Sequence, residues 1–82
     1  MNEYKRGYLA SPDLERALAR DGQASLQGGR YRAAVASAGP GYYEAWTDSL
    51  PFVYGRASST LQGALDNLEQ AVCEAESKRK AS

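Results

Sequence analysis

Histidine is absent from the sequence, and cysteine occurs once, at Cys73. Without an imidazole the chain lacks the commonest general base and the commonest zinc ligand. A lone thiol rules out an internal disulfide framework. Nothing in the sequence activates that thiol, so Cys73 reads as a partly buried helix residue and not as a nucleophile. Excess charge is absent too: ten basic and ten acidic side chains cancel. A neutral chain is a poor candidate for nucleic-acid binding as its main activity, because clustered Lys and Arg supply most phosphate affinity. No apolar run approaches the roughly 18–20 residues that span a bilayer. The opening Met1–Arg6 has no apolar stretch behind its charges, so it does not read as a secretory signal. A cytoplasmic location, with no membrane partner, is the expectation.

Catalytic patterns are equally scarce. The glycines form neither GxGxxG nor a Walker loop, and Gly39-Pro40-Gly41 has no helix behind it to hold phosphate. The acidic residues are too dispersed for a calcium loop. Glu44 and Asp48 are four residues apart across a strand end and do not face each other over a cleft; they read as solvated or paired with Arg32 or Arg56. No catalytic, metal or cofactor site is expected, and the chain reads as not an enzyme.

What is present suits one small α+β domain of 82 residues. Apolar residues make up 43% and charged residues 24%, values at which a core forms and disorder throughout is not expected. Residues 1–10 read as a frayed end or an extended arm. Ser11-Pro12-Asp13 opens a short helix over 12–20, with Leu14, Ala17 and Leu18 on one face and Gly22 as the stop. Residues 23–27 form a weak strand, and Gly28-Gly29 signals a two-residue hairpin. In the strand at 30–37, Tyr31, Ala33 and Val35 face one side, with Arg30, Arg32 and Ala34 on the other. A turn over 38–41 leads to a strand at 42–47, in which Tyr43 and Ala45 oppose Tyr42, Glu44 and Trp46. Asp48-Ser49-Leu50-Pro51 breaks it before a third clear strand at 52–57, with Phe52 and Tyr54 on one face.

The last helix is predicted over about 60–77. Ser59 and Gln62 have capping-box spacing, and Leu61, Ala64, Leu65, Leu68, Val72 and Ala75 make an apolar stripe. Gly63 inside it suggests close approach to the sheet. Lys78-Arg79-Lys80 reads as a solvated tail over 78–82. The predicted architecture is an antiparallel meander of three or four strands, a C-terminal helix on one face, and a short N-terminal helix.

Aromatic content points to function. Six tyrosines and one tryptophan are many for so small a chain, and both types favour interfaces. Trp46 should leave the face that Tyr43 buries, either to pack under the N-terminal helix or to face a partner. Arg30, Arg32 and Arg56 border the same face in this reading. The candidate partner-binding set is therefore Arg30, Arg32, Tyr42, Glu44, Trp46 and Arg56. Arginine beside aromatics suits protein recognition first, and stacking on single-stranded bases second.

Residues 31–72 resemble the HicB-like antitoxin domain. The likeness lies in Gly41-Tyr42-Tyr43-Glu44-Ala45-Trp46, then Asp48-Ser49-Leu50-Pro51, then Thr60-Leu61-Gln62-Gly63-Ala64-Leu65 with Asn67-Leu68. That resemblance implies a β-β-β-α unit that binds and blocks a small RNA-cleaving toxin. HicB-like proteins usually add a C-terminal DNA-binding element; the residues after this helix are too few for one, so operator binding is not implied. The first forty residues have no counterpart in the family pattern. In general character, being small, cysteine-poor and without catalytic motifs, the chain is also similar to phage-encoded anti-CRISPR proteins. That likeness implies docking on a CRISPR effector complex and blocking of DNA binding. The expected partner is a protein, a toxin or a defence complex, with nucleic acid secondary. The chain is expected to be a monomer or a homodimer.

Overall fold

The computed structural model describes residues 8–28, 31–39, 41–48 and 52–81, with side chains as far as Lys78. Among these residues the order is α1 (Pro12–Asp21), β1 (Gln23–Leu26), β2 (Ala33–Gly39), β3 (Tyr42–Thr47), β4 (Val53–Tyr54) and α2 (Leu61–Ala81). The four strands form one antiparallel sheet in the order β1-β2-β3-β4. This is the predicted α+β meander, with four strands.

Helix α1 starts and stops where its sequence says. The Ser11 hydroxyl accepts from the Leu14 N–H, and Pro12 takes the first turn, where its missing N–H costs nothing. Gly22 ends it in the left-handed region at φ 80°, donating its N–H to the Leu18 carbonyl at 2.8 Å. β1 follows at once. Its partner is reached through residues 27–32, because Leu26 pairs with Ala33. The two-residue hairpin expected at Gly28-Gly29 is therefore replaced by a six-residue connection, of which Gly29 and Arg30 lie outside the described residues. Side-chain anchoring takes residues 31 and 32 out of the ladder. The buried Tyr31 donates its hydroxyl to Glu69 of α2 at 2.9 Å, and the Arg32 carbonyl accepts from the Thr47 hydroxyl.

The strand expected over 52–57 pairs regularly only at Val53–Tyr54. The cause is Gly55. A Cβ built there would sit 2.7 Å from the Cα and N of Leu68, so α2 crosses this point at backbone distance. Gly55 keeps one bond, to the Ala45 carbonyl at 2.9 Å, and the Arg56 carbonyl turns to the Asn67 amide at 2.9 Å. Pairing resumes once, as a bridge between Tyr43 and Ser58. The close helix–sheet approach suggested by Gly63 thus occurs at Gly55; a Cβ on Gly63 would meet the Ser58 and Thr60 hydroxyls instead.

At the start of α2 the capping differs from the expected Ser59–Gln62 box. Thr60 is the cap: its hydroxyl accepts from the Gly63 N–H at 3.0 Å. Gln62 reaches outward to the N-terminal segment, accepting from the Ala10 N–H at 2.8 Å and donating to the Tyr8 carbonyl at 3.4 Å. Tyr8 also donates to the Tyr31 carbonyl and packs edge-on against the Tyr31 ring. Residues 8–10 are thus fixed, while Met1–Gly7 of the expected arm lie outside the described residues. The helix continues to Ala81, past the predicted end near 77 and through the supposed tail. No Gly or Pro interrupts residues 77–81, and basic side chains suit the negative helix end.

Both helices pack on the same face of the sheet, α1 on β1 and β2, α2 on β3 and β4. The core joins Leu14 and Leu18 of α1, Tyr31, Ala33 and Val35, Ala45, and the stripe Leu61, Ala64, Leu65, Leu68 and Val72. Cys73 follows Val72 by one residue, about 100° around the helix, and so leaves the stripe. It is exposed, correcting the expectation of partial burial, and donates to Glu69 at 3.4 Å. No helix among the described residues is long and apolar enough to cross a membrane.

Candidate functional site

Both helices lie on one side of the sheet, and among the described residues no element covers the other side. The period of two assigns each residue. Ala45 and Thr47 are buried against the helices, so Tyr42, Glu44 and Trp46 point away from them. On β2 the open side carries Ala34 and Ala36, and on β1 the exposed Gln23 and Ser25. Register completes the surface: Ser25 pairs with Ala34, Ala34 with Trp46, and Trp46 with Tyr54. One half of the open face is therefore small and flat, and the other half is aromatic.

Placing Trp46 under the N-terminal helix is ruled out, because α1 lies on the opposite side of the sheet. The indole is half-buried among its neighbours and stacks with Tyr54, ring centroids 6.4 Å apart and planes 20° apart. Phe52, two residues before Tyr54, also stacks with it, at 6.4 Å and 18°. Tyr54 thus links Trp46, its cross-strand partner, and Phe52 into one group of three rings at the β3–β4 half of the sheet. Phe52 is 64% exposed, Tyr54 48% and Tyr42 42%. Together they form a contiguous apolar patch outside the core cluster.

Glu44 lies among these rings. It accepts a hydrogen bond from the Tyr54 hydroxyl. That bond is the first cause of a Tyr54 pKa pushed up to about 12, followed by partial desolvation and by the charge of the carboxylate. Glu44 also lifts the Tyr42 hydroxyl above the ordinary tyrosine value, as an acceptor first and as a charge second. Both shifts share one first cause, the Glu44 carboxylate at the aromatic centre of the face. Among the described residues, no Lys or Arg stands within ion-pair distance of it.

The arginines are spread around this centre. Arg32 reaches Asp48 at 3.4 Å, and the two border a shallow hollow of about 160 Å³ with Ser25, Ala34 and Trp46. Asp48 is thus paired with Arg32, one of its two expected partners, whereas Glu44 is held by tyrosine. Arg56 sits past the β4 edge, lining a second hollow with Tyr54, Asn67, Gln70 and Glu74 of α2. Arg30 lies outside the described residues. The structure therefore brings Arg32, Tyr42, Glu44 and Trp46 together and places Arg56 at the margin.

Two members of the patch, Phe52 and Tyr54, are absent from the sequence-derived set. Their alternation showed that they share a face. Only the cross-strand register Trp46–Tyr54 shows that this face is also that of Trp46. The two strands are joined through residues 48–52, of which 49–51 lie outside the described residues. The chain matches no protein-family model, no curated protein and no solved structure.

Proposed function

We propose that this chain is a non-enzymatic inhibitor that docks its open sheet face on a protein acting on nucleic acid and blocks it. The observation that carries the proposal is the group Trp46, Tyr54 and Phe52, with Tyr54 and Phe52 exposed, on the sheet face that no helix among the described residues covers. Exposed stacked rings outside the core are not needed for folding and suit a binding surface. The order β2-β3-β4-α2, with Tyr42 opening β3 and Thr60 capping α2, supports the HicB-like reading of residues 31–72, in which the target is a small RNA-cleaving toxin. A defence complex of the anti-CRISPR type is the other target of the same chemistry.

A second reading follows from the same group of rings, since parallel aromatics on an open antiparallel sheet also suit single-stranded bases. Glu44 counts against it: a carboxylate among the rings repels the phosphates that stacked bases would bring with them. Balanced charge over the whole chain points the same way.

The test is capture of a partner from the native host by the immobilised chain, identified by mass spectrometry and repeated with Trp46→Ala and Tyr54→Ala. Capture should be lost in both variants while the circular dichroism spectrum stays that of the parent. Capture that survives both substitutions would remove the open face from consideration.

A further inference from the structure

Glu44 is a half-buried carboxylate whose neighbours on the open side are chiefly aromatic or small, with Gln23 and Arg32 farther out. Its Oε1 takes the Tyr54 hydroxyl and the carboxylate also accepts from Tyr42, which leaves part of its roughly four acceptor sites for a further donor on the uncovered face. Among the described residues, the two arginines bordering the face make no ion pair with it: Arg32 is turned to Asp48, and Arg56 lies beyond the β4 edge. The carboxylate and the rings share this side of the sheet, and the negative face of an aromatic ring attracts a cation as the carboxylate does. Ala34, Ala36 and Ser25 keep the neighbouring strands low, so that a long side chain can lie across them to reach Glu44.

We propose that the open face receives an arginine side chain of the partner protein, its guanidinium bonded to Glu44 and lying on the rings of Trp46 and Tyr54. The proposal rests on the reading of this face as the docking surface and adds the chemistry of what docks there. Arginine fits better than lysine. Its planar fork donates to a carboxylate in two places and stacks on aromatic faces, whereas an ammonium is a compact and strongly hydrated point charge. A protein that handles nucleic acid presents such side chains at the surface an inhibitor must cover.

Trp46 is the only tryptophan in the chain, so its fluorescence reports on this face alone. The probe is an end-capped hexapeptide of arginine, titrated into the full chain at low salt. Saturable change in Trp46 emission is expected, with affinity reduced about tenfold by Glu44→Gln, which retains an acceptor for Tyr54 but not the charge. Glu15→Gln, an exposed acid on α1 across the sheet, should leave the affinity unchanged. A lysine hexapeptide should bind more weakly than the arginine one. Equal affinity for wild type and Glu44→Gln, or for arginine and lysine peptides, would overturn the proposal. So would a hexathymidylate that changes Trp46 emission more strongly than the arginine peptide. If peptide binding ignores Glu44 while partner capture is still lost in Tyr54→Ala, the arginine is wrong and the docking face stands. If capture survives Tyr54→Ala and Trp46→Ala, the face itself is wrong.

Discussion

Tyr54 shows how one residue's chemistry depends on a cross-strand neighbour. Its hydroxyl is pushed up to about 12 chiefly because it donates to Glu44. Tyrosine in an unfolded chain ionises near 10. A raised native value means that folding favours the neutral phenol. The contribution is therefore complete below about pH 10 and is lost as pH rises through about 12. In a tyrosinate absorbance titration, Tyr54 should lag the main transition most, with Tyr42 displaced the same way. Tyr54→Phe should delete the lagging step, and Glu44→Gln should move it to lower pH. A titration unaltered by Glu44→Gln would show that the hydroxyl has another acceptor.

Gly55 is the residue-scale counterpart in the fold. Its missing side chain lets α2 approach the sheet at Leu68. Because the obstructing atoms are helix backbone, alanine there forces the helix to move. We expect Gly55→Ala to lower stability by about 1–3 kcal/mol in a denaturant melt, the usual cost of overpacking. The sequence hid this. Gly63 sits conspicuously inside a helix, but the glycine that matters for packing lies just after a strand, where it looks like an ordinary loop residue.

At the level of elements, legibility followed how local the determining forces are. Helix α1 was readable to within a residue, because Ser11, Pro12 and Gly22 act on their own neighbours. Strand β3 was readable at both ends for the same reason, between a glycine-rich turn and Asp48. Strand β4 was not, since its brevity is imposed by a helix that crosses it. The Gly28-Gly29 hairpin failed similarly: Tyr31 is drawn from the ladder by Glu69, a partner 38 residues away. The cap of α2 lay one residue from its predicted place, because Gln62 was engaged by the segment at Tyr8 and Ala10. Thr60→Ala should therefore cost about 1 kcal/mol of stability, with Ser59→Ala near neutral, in paired thermal melts. The reverse ranking would restore Ser59 as the cap.

Across the whole molecule the candidate site was half legible. Alternation along β3 separated Trp46 from the buried side, but which side the first helix covers is a tertiary fact. Phe52 and Tyr54 joined the site only through register. The resulting asymmetry gives a sharp contrast between substitutions. Leu68→Ala, in the fully buried stripe, should cost about 2–5 kcal/mol. Trp46→Ala removes a larger side chain yet should change stability far less, since the indole lies outside the core cluster. Comparable losses for the two variants would place Trp46 in the core.

With both helices on one side, the residues that decide folding and those of the proposed docking face are different sets, separated by the thickness of a single sheet. Exchanging one ring or charge for another on the bare side leaves the hydrophobic interior untouched. A lineage built on this scaffold is thereby free to follow a changing target, substituting its way across one surface while the other keeps the chain folded.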